Sequence, residues 1–158
     1  MALIKNTDKN IQLSLKLLNN KFLEIKESSH ESWIPFALKL DVDGDCYEYE
    51  AKRGAVFTLY EINRLIGELE KNLGTKEAVN TFEEIEFYSS QAYFGMIFID
   101  PLEADLVEVE FWFNMDVLSQ SETKGYDQGY RFAVEVTDLK SFIAEIKHEL
   151  KEILIKEG

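Results

Sequence analysis

The chain has 158 residues, of which 46% are hydrophobic and 13% aromatic, and this composition predicts a single folded domain over residues 1–158. Its 30 acidic residues outnumber the 17 basic ones, so the formal charge is −13. Direct binding to nucleic acid or to an anionic membrane is therefore disfavoured, because both need clustered Lys and Arg.

Cellular location is also constrained by the sequence. The first residues have no apolar signal-peptide core, and no apolar run approaches the roughly 20 residues that cross a bilayer. Cys46 is the only cysteine, so no disulfide forms within the chain. We therefore expect a cytoplasmic protein.

The first half of the chain predicts strands. Apolar and polar residues alternate over 11–17 and again over 36–42, which is the period of half-buried strands. The dipeptide Asp43-Gly44 is a strong hairpin signal and leads into a strand over 46–51. A short strand is also predicted over 22–25, after the turn residues Asn19-Asn20.

A helix is predicted to follow these strands. Thr58 and Glu61 have the spacing of a capping box, which marks a first helical turn. Apolar residues then recur at the helical period as far as Leu73. Gly74 is predicted to lie just beyond the end of this helix.

The second half repeats this plan. Four strands are predicted, over 85–87, 93–100, 107–113 and 130–136. A last amphipathic helix is predicted to be capped by Thr137 or Asp138. The chain therefore divides into two halves, 10–75 and 80–156, and the similar spacing of their helices reflects either an internal duplication or the general pattern of amphipathic helices.

Consecutive strands joined by tight turns pair in antiparallel fashion, and a helix with one apolar stripe packs on a sheet. We therefore predict an α+β fold. It consists of an antiparallel sheet of about seven or eight strands with two amphipathic helices packed on one face, built as two halves that each run from strands to a helix.

The acidic residues are concentrated in one region. Between Lys76 and Lys124 the chain has no Lys or Arg, but it has eleven acidic residues and nine of the 20 aromatic ones. The remainder of the chain has 19 acidic and 17 basic residues and is almost neutral. An acidic and aromatic region favours a binding surface, and its charge favours a basic protein partner.

The strand over 107–113 is the sharpest feature of this region. If its Val and Phe residues face the core, alternation places Glu108, Glu110 and Trp112 on the other side. A Trp beside two carboxylates suits a partner rich in Lys or Arg. We predict a partner-binding face formed by Glu84, Glu86, Glu108, Glu110 and Trp112. The alternative is an ordinary solvated face in which a loop or helix covers Trp112.

Catalytic signals are weak throughout the chain. Asp41–Asp45 begins like a calcium loop, but the later ligand and turn positions are occupied by Cys46, Glu48 and Lys52, so a hairpin turn is the better interpretation. Nearby carboxylates would raise the pKa of Cys46 and disfavour it as a nucleophile. No phosphate-binding or hydrolase motif occurs.

The two histidines, His30 and His148, lie among polar residues. We therefore predict a protein that is not an enzyme and has no catalytic residues, cofactor or metal. An enzyme that depends on a metal bound only by carboxylates is the alternative that the sequence leaves open.

Several packing patterns of the chain resemble the WapI-type immunity protein family of bacteria. They are the run Ser32–Gly44 with its tyrosine-rich return strand, the run Phe57–Leu69, the strand Gly129–Phe132 and the closing helix at Leu139 and Phe142. The resemblance covers roughly residues 10–155. It implies a small cytoplasmic protein that neutralises a cognate toxin, often a nuclease, and it transfers no catalytic residues.

The predicted function is thus that of an immunity protein in a toxin–antitoxin pair, which binds a basic toxin through the acidic, aromatic surface. A cytoplasmic protein-interaction or small-ligand-binding module with an acidic surface is the alternative of a different class.

Overall fold

The structure is a computed structural model that describes residues 1–19, 26–49, 55–89, 93–115 and 125–157. Nine strands lie within these ranges: β1 (Ala2–Lys5), β2 (Ile11–Leu17), β3 (Trp33–Val42), β4 (Asp45–Tyr49), β5 (Val56–Thr58), β6 (Ile85–Tyr88), β7 (Phe94–Ile99), β8 (Leu106–Asn114) and β9 (Asp127–Glu135). The same ranges contain two helices, α1 (Leu59–Val79) and α2 (Val136–Glu157).

The strands form two antiparallel sheets, one from each half of the chain. The first has five strands in the order β1-β2-β3-β4, and β5 pairs with the first residues of β3. The second is a four-stranded meander in the order β6-β7-β8-β9. Each sheet is followed in the chain by a helix, so the predicted succession of strands and helix occurs twice.

The predicted α+β class, the antiparallel pairing and the two helices are confirmed. The nine strands of the described ranges form two sheets, where the sequence predicted one sheet of about seven or eight strands. The 21-residue α1 lies between β5 and β6 in the chain. A single continuous sheet would need a tight turn there, and the helix separates the two sheets instead. Each helix contacts both sheets: α1 packs on β5 and β6, and α2 packs on β1, β2 and β9.

Aromatic side chains join the two sheets. The ring of Phe94 in β7 lies 5.8 Å, between centroids, from both Phe36 in β3 and Phe57 in β5. The ring of Tyr49 in β4 lies 5.7 Å from that of Phe113 in β8. These side chains belong to one hydrophobic cluster that also contains the apolar stripes of both helices.

Helix α1 begins where the sequence predicts and ends later. The Thr58 hydroxyl accepts from the Glu61 amide at 3.1 Å, and the Glu61 carboxylate accepts from the Thr58 amide at 2.7 Å. The prediction that Gly74 follows the helix is wrong, because the helix continues to Val79 and ends at Asn80 with φ of 55°. The additional turn contains Lys76, whose side chain is buried in an ion pair.

Other boundaries also differ from those predicted. The strand over 130–136 ends at Glu135, and α2 begins at Val136, so Thr137 and Asp138 lie in its first turn and are not its cap. The Val136 amide donates to the Asp105 carbonyl at 2.8 Å, so the last bond of the β8–β9 pairing is made by the first residue of the helix. The strand predicted over 22–25 lies outside the described residues.

The hairpin at Asp43-Gly44 is confirmed. Both residues have positive φ, 50° and 93°, and Val42 pairs with Asp45 across the turn. The two short strands β1 and β5, of four and three residues, were not predicted. Neither helix in the described part of the chain is long and apolar enough to span a membrane.

A buried ion pair connects the last turn of α1 to the end of β7. The Lys76 side chain is 1% exposed, and its ammonium donates to Asp100 Oδ1 at 2.7 Å. Asp100 Oδ1 also accepts from the Leu102 amide at 2.8 Å. The hydrogen bond from Lys76 holds the pKa of the Asp100 carboxyl below its ordinary value.

We predict that Lys76→Met lowers the free energy of unfolding by about 3 kcal/mol, because it leaves the Asp100 carboxylate without its ammonium partner. A folded-state pKa below the unfolded one means that the stabilisation is present above the unfolded pKa, about 3.9, and is lost as the pH falls through the folded pKa. Urea unfolding from pH 7 down to pH 2 would measure both effects, and the variant should lose part of the wild-type acid dependence.

Lys147→Met is the matched control, because Lys147 forms an exposed ion pair with Glu70 at 2.6 Å. An exposed pair contributes little, so the control should change the stability by less than about 1 kcal/mol. Equal losses in the two variants would contradict the importance of the buried pair.

Candidate partner-binding face

One side of the four-stranded sheet faces away from the core, and we call it the outer face. In β8, Phe111 and Phe113 are fully buried on the inner side, whereas Trp112 between them is 39% exposed. The pairing registers place the following residues on the outer face: Glu86, Tyr88, Gly95, Ile97, Ile99, Leu106, Glu108, Glu110, Trp112, Asn114, Asp127, Gly129, Arg131, Ala133 and Glu135.

The outer face includes four of the five residues that the sequence suggested for partner binding. Glu86 projects from β6, and Glu108, Glu110 and Trp112 project from β8. Glu84 is exposed but precedes the first residue of β6, so it lies at the margin of the face. The alternation predicted for β8 is thus present, and the binding role of the five residues stays a prediction.

A row of charged residues crosses the outer face. Glu86 is opposite Ile97, Ile97 is opposite Glu110, and Glu110 is opposite Arg131 in β9. Arg131 binds the Glu108 carboxylate with two hydrogen bonds, from Nε to Oε1 at 2.6 Å and from Nη2 to Oε2 at 2.8 Å. Its Nη1 lies 3.6 Å from Glu110 Oε1.

These contacts make Arg131 the cation that organises the carboxylates of β8. Its hydrogen bonds hold the pKa of the Glu108 carboxyl below the ordinary value, so Glu108 stays ionised at neutral pH. Arg131 nevertheless balances only one charge. The acidic residues of the outer face are Glu86, Glu108, Glu110, Asp127 and Glu135. The face therefore has an excess of negative charge, which attracts cations.

Beside the charged row lies an aromatic row, formed by Tyr88, Gly95, Trp112 and Gly129 on four neighbouring strands. A Cβ atom at Gly95 would overlap the Tyr88 ring, and one at Gly129 would overlap the Trp112 ring. Each ring thus lies over a glycine of the adjacent strand. Tyr88 is 55% exposed, so both rings present surface to solvent.

The two rows are connected by the Trp112 indole. Its Nε1 donates to Glu110 Oε2 at 3.4 Å. Glu110 is therefore held between the indole and Arg131, with its carboxylate beside the edge of the aromatic row. The face combines aromatic area with ionised carboxylates, which is the combination that binds cationic side chains.

Sequence reasoning missed Arg131, Tyr88 and the two glycines of the aromatic row. The alternation of Arg131 with Tyr130 and Phe132 was visible and could have predicted its facing. Its pairing with Glu108 was not visible, because the pairing depends on the register between β8 and β9.

Other groups considered in the sequence do not assemble into a second candidate. No three His, Cys, Asp or Glu side chains within the described ranges form a group suited to a metal ion. Cys46 is exposed. The pKa of its thiol is raised, mainly by desolvation and to a smaller extent by the negative charge of Glu48. His148 lies 3.4 Å from Glu152 on the surface of α2, and His30 stacks on Tyr60.

A groove between α1 and α2 is one of several concave surfaces, with a volume of about 630 Å³. Lys140 and Lys147 of α2 cross it to pair with Glu77 and Glu70 of α1. Both carboxylates that line the groove are thus paired with a lysine, so the groove has no excess of negative charge, unlike the outer face.

We predict that Gly129→Ala displaces the Trp112 indole, because the added Cβ overlaps the ring. In a Trp33→Phe background Trp112 is the only tryptophan, so its emission should shift to longer wavelength and acrylamide should quench it more strongly. The strain should lower the free energy of unfolding by about 1–2 kcal/mol.

Gly67→Ala is the control glycine, because a Cβ there meets no atom within 4 Å. Its tryptophan emission should match that of the background variant. If Gly129→Ala also left the emission unchanged, the indole would not lie over Gly129.

Comparison with models of protein families matches residues 3–154 to the Immunity protein WapI-like family. No curated protein and no solved structure matches the chain significantly. The matched residues extend over both sheets and both helices, and the resemblance noted in the sequence is confirmed. This chain therefore belongs to the WapI-like immunity protein family.

Proposed function

We propose that the chain is a non-catalytic, cytoplasmic immunity protein that neutralises a basic toxin by binding it through the outer face. Membership of the family supports the immunity role. The observation that supports a basic partner is the outer face itself, where five acidic residues stand against one arginine beside two exposed aromatic rings.

Charge complementarity gives this proposal its physical reason. A toxin that cleaves nucleic acid must carry Lys and Arg to bind phosphates. An inhibitor with an acidic face competes for the same cationic side chains and is drawn to them over a distance set by the salt concentration. Such steering accelerates association, which matters when a toxin acts as soon as it enters the cell.

Affinity also requires a residue that anchors the complex once it has formed. Trp112 is the best candidate, because it lies within the face and contacts Glu110. Exposed Trp residues inside a charged surface are frequent hot spots, since they bury a large area with few rotatable bonds. The carboxylates thus contribute mainly to the rate of association and Trp112 mainly to the lifetime of the complex.

The genes next to that of this chain are the first place to look for the toxin. A large secreted protein there supplies the domain for binding experiments. Metabolic genes on both sides would instead favour a housekeeping interaction or small-ligand module.

With that toxin domain, we predict that Glu86→Lys combined with Glu110→Lys slows association about tenfold or more at low salt and weakens its salt dependence. Surface plasmon resonance at several salt concentrations measures both quantities. Glu31→Lys combined with Glu152→Lys makes the same change in net charge at exposed positions away from the outer face. If this control slowed association equally, the total charge and not the face would steer the toxin.

We predict that Trp112→Ala acts on dissociation. Loss of a hot-spot side chain costs about 2 kcal/mol, or roughly a thirtyfold faster dissociation, with little change in association. Trp33→Ala is a matched control, because Trp33 is also 39% exposed but lies in the other sheet. Equal effects of the two substitutions would place the interface elsewhere.

A further inference from the structure

We infer that the aromatic row is a binding site for an arginine side chain of the partner, and that it selects arginine over lysine. This inference rests on the proposed binding of a basic protein through the outer face. The inference specifies which side chain of the partner the aromatic row binds and which residues of this chain bind it.

The first observation is the way in which the rings are held. Tyr88 lies over Gly95 and Trp112 lies over Gly129, at positions where any side chain larger than hydrogen would overlap the ring. The rings therefore lie along the sheet and present two flat aromatic patches, that of Tyr88 over β7 and that of Trp112 over β9. A flat surface of this kind stacks on planar groups.

The second observation is the position of the carboxylates. Glu86 and Glu110 lie two residues from Tyr88 and Trp112 along the same strands, which is about 7 Å between Cα atoms. A planar cation that stacks on a ring therefore has a carboxylate within reach of its edge. The Glu110 carboxylate is already held beside the row by the Trp112 indole at 3.4 Å.

The third observation is that this face already binds a guanidinium. Arg131 makes two parallel hydrogen bonds to Glu108, at 2.6 and 2.8 Å, and its side chain is largely exposed. Glu108 thus shows that a carboxylate of this face accepts the planar fork of an arginine. Arg131 belongs to the charged row, where it binds Glu108. We therefore assign the aromatic row to a second guanidinium, which comes from the partner.

Chemistry distinguishes arginine from the other candidates. A nucleobase would stack on the rings, but its phosphate would meet the carboxylates, which repel it. A lysine ammonium would be attracted by the charge, but it is compact and strongly hydrated and has no plane to stack. A guanidinium stacks through its face and pairs through its edge at the same time.

The test uses hexa-arginine and hexa-lysine peptides of equal charge, each labelled with fluorescein and titrated with the full chain at low salt. Fluorescence anisotropy measures both dissociation constants. We expect the arginine peptide to bind roughly fivefold more tightly than the lysine peptide. Trp112→Ala and Gly129→Ala should bring this ratio close to one, whereas Glu86→Gln combined with Glu110→Gln should weaken the binding of both peptides.

Trp33→Ala is the control, because it removes an equally exposed tryptophan from the other sheet and should preserve the arginine preference. Gly129→Ala keeps every recognition side chain and only moves the indole, and circular dichroism verifies that each variant is folded. A preference for arginine that persists in Trp112→Ala and Gly129→Ala would overturn the inference.

The failure of the inference is distinguishable from that of the proposed function. If the wild type bound both peptides equally and the two Gln substitutions weakened both, the face would attract basic partners without selecting arginine. If the wild type bound neither peptide at low salt, the proposal of a basic partner at this face would fail together with the inference.

Discussion

Contacts between aromatic rings of the two sheets are the interaction on which the rest of the structure depends. Phe94 is at their centre: its ring stacks on Phe111 within its own sheet, at 5.3 Å, and meets Phe36 and Phe57 of the other sheet. A fully buried Phe contributes about 1.5–3 kcal/mol, so this group is a large part of the core. Its burial also fixes which side of β3, β5, β7 and β8 faces inward.

That choice of side is what creates the outer face. With Phe111 and Phe113 held in the core, alternation leaves Trp112 and the two glutamates of β8 no position but the outside. A shift of one residue in the pairing of β8 would exchange the two sets and bury the carboxylates, at a high cost in free energy. The packing of the core therefore keeps the carboxylates and Trp112 on the outer face, although no residue of that face belongs to the core.

Local contacts then organise the face. Arg131 holds Glu108 in a two-point hydrogen bond, and the Trp112 indole holds Glu110, so the carboxylates lose less freedom when a partner binds. The glycines beneath Tyr88 and Trp112 play the corresponding role for the rings. The arrangement has a cost, because Arg131 cancels part of the charge that would steer a basic partner.

The acidic stretch also shows why counting charges is not sufficient. Asp100 is paired with buried Lys76, and Glu77 is paired with Lys140 of α2, so neither contributes a full charge to the outer face. Conversely, Asp127 and Glu135 belong to the face and lie outside the stretch between Lys76 and Lys124. The pairing of β8 with β9 thus assembles the surface charge from residues within that stretch and residues that follow it.

The sequence by itself determined the α+β class, the capping box of α1, the Asp43-Gly44 turn and the facing of β8, because each depends on residues close together in the chain. Only the tertiary structure decided the division into two sheets, the end of α1 at Asn80, the pairing of Arg131 with Glu108 and the glycines beneath the rings. These features depend on which strands are neighbours and in what register. Register is selected by packing over the whole core, so no short stretch of the sequence predicts it.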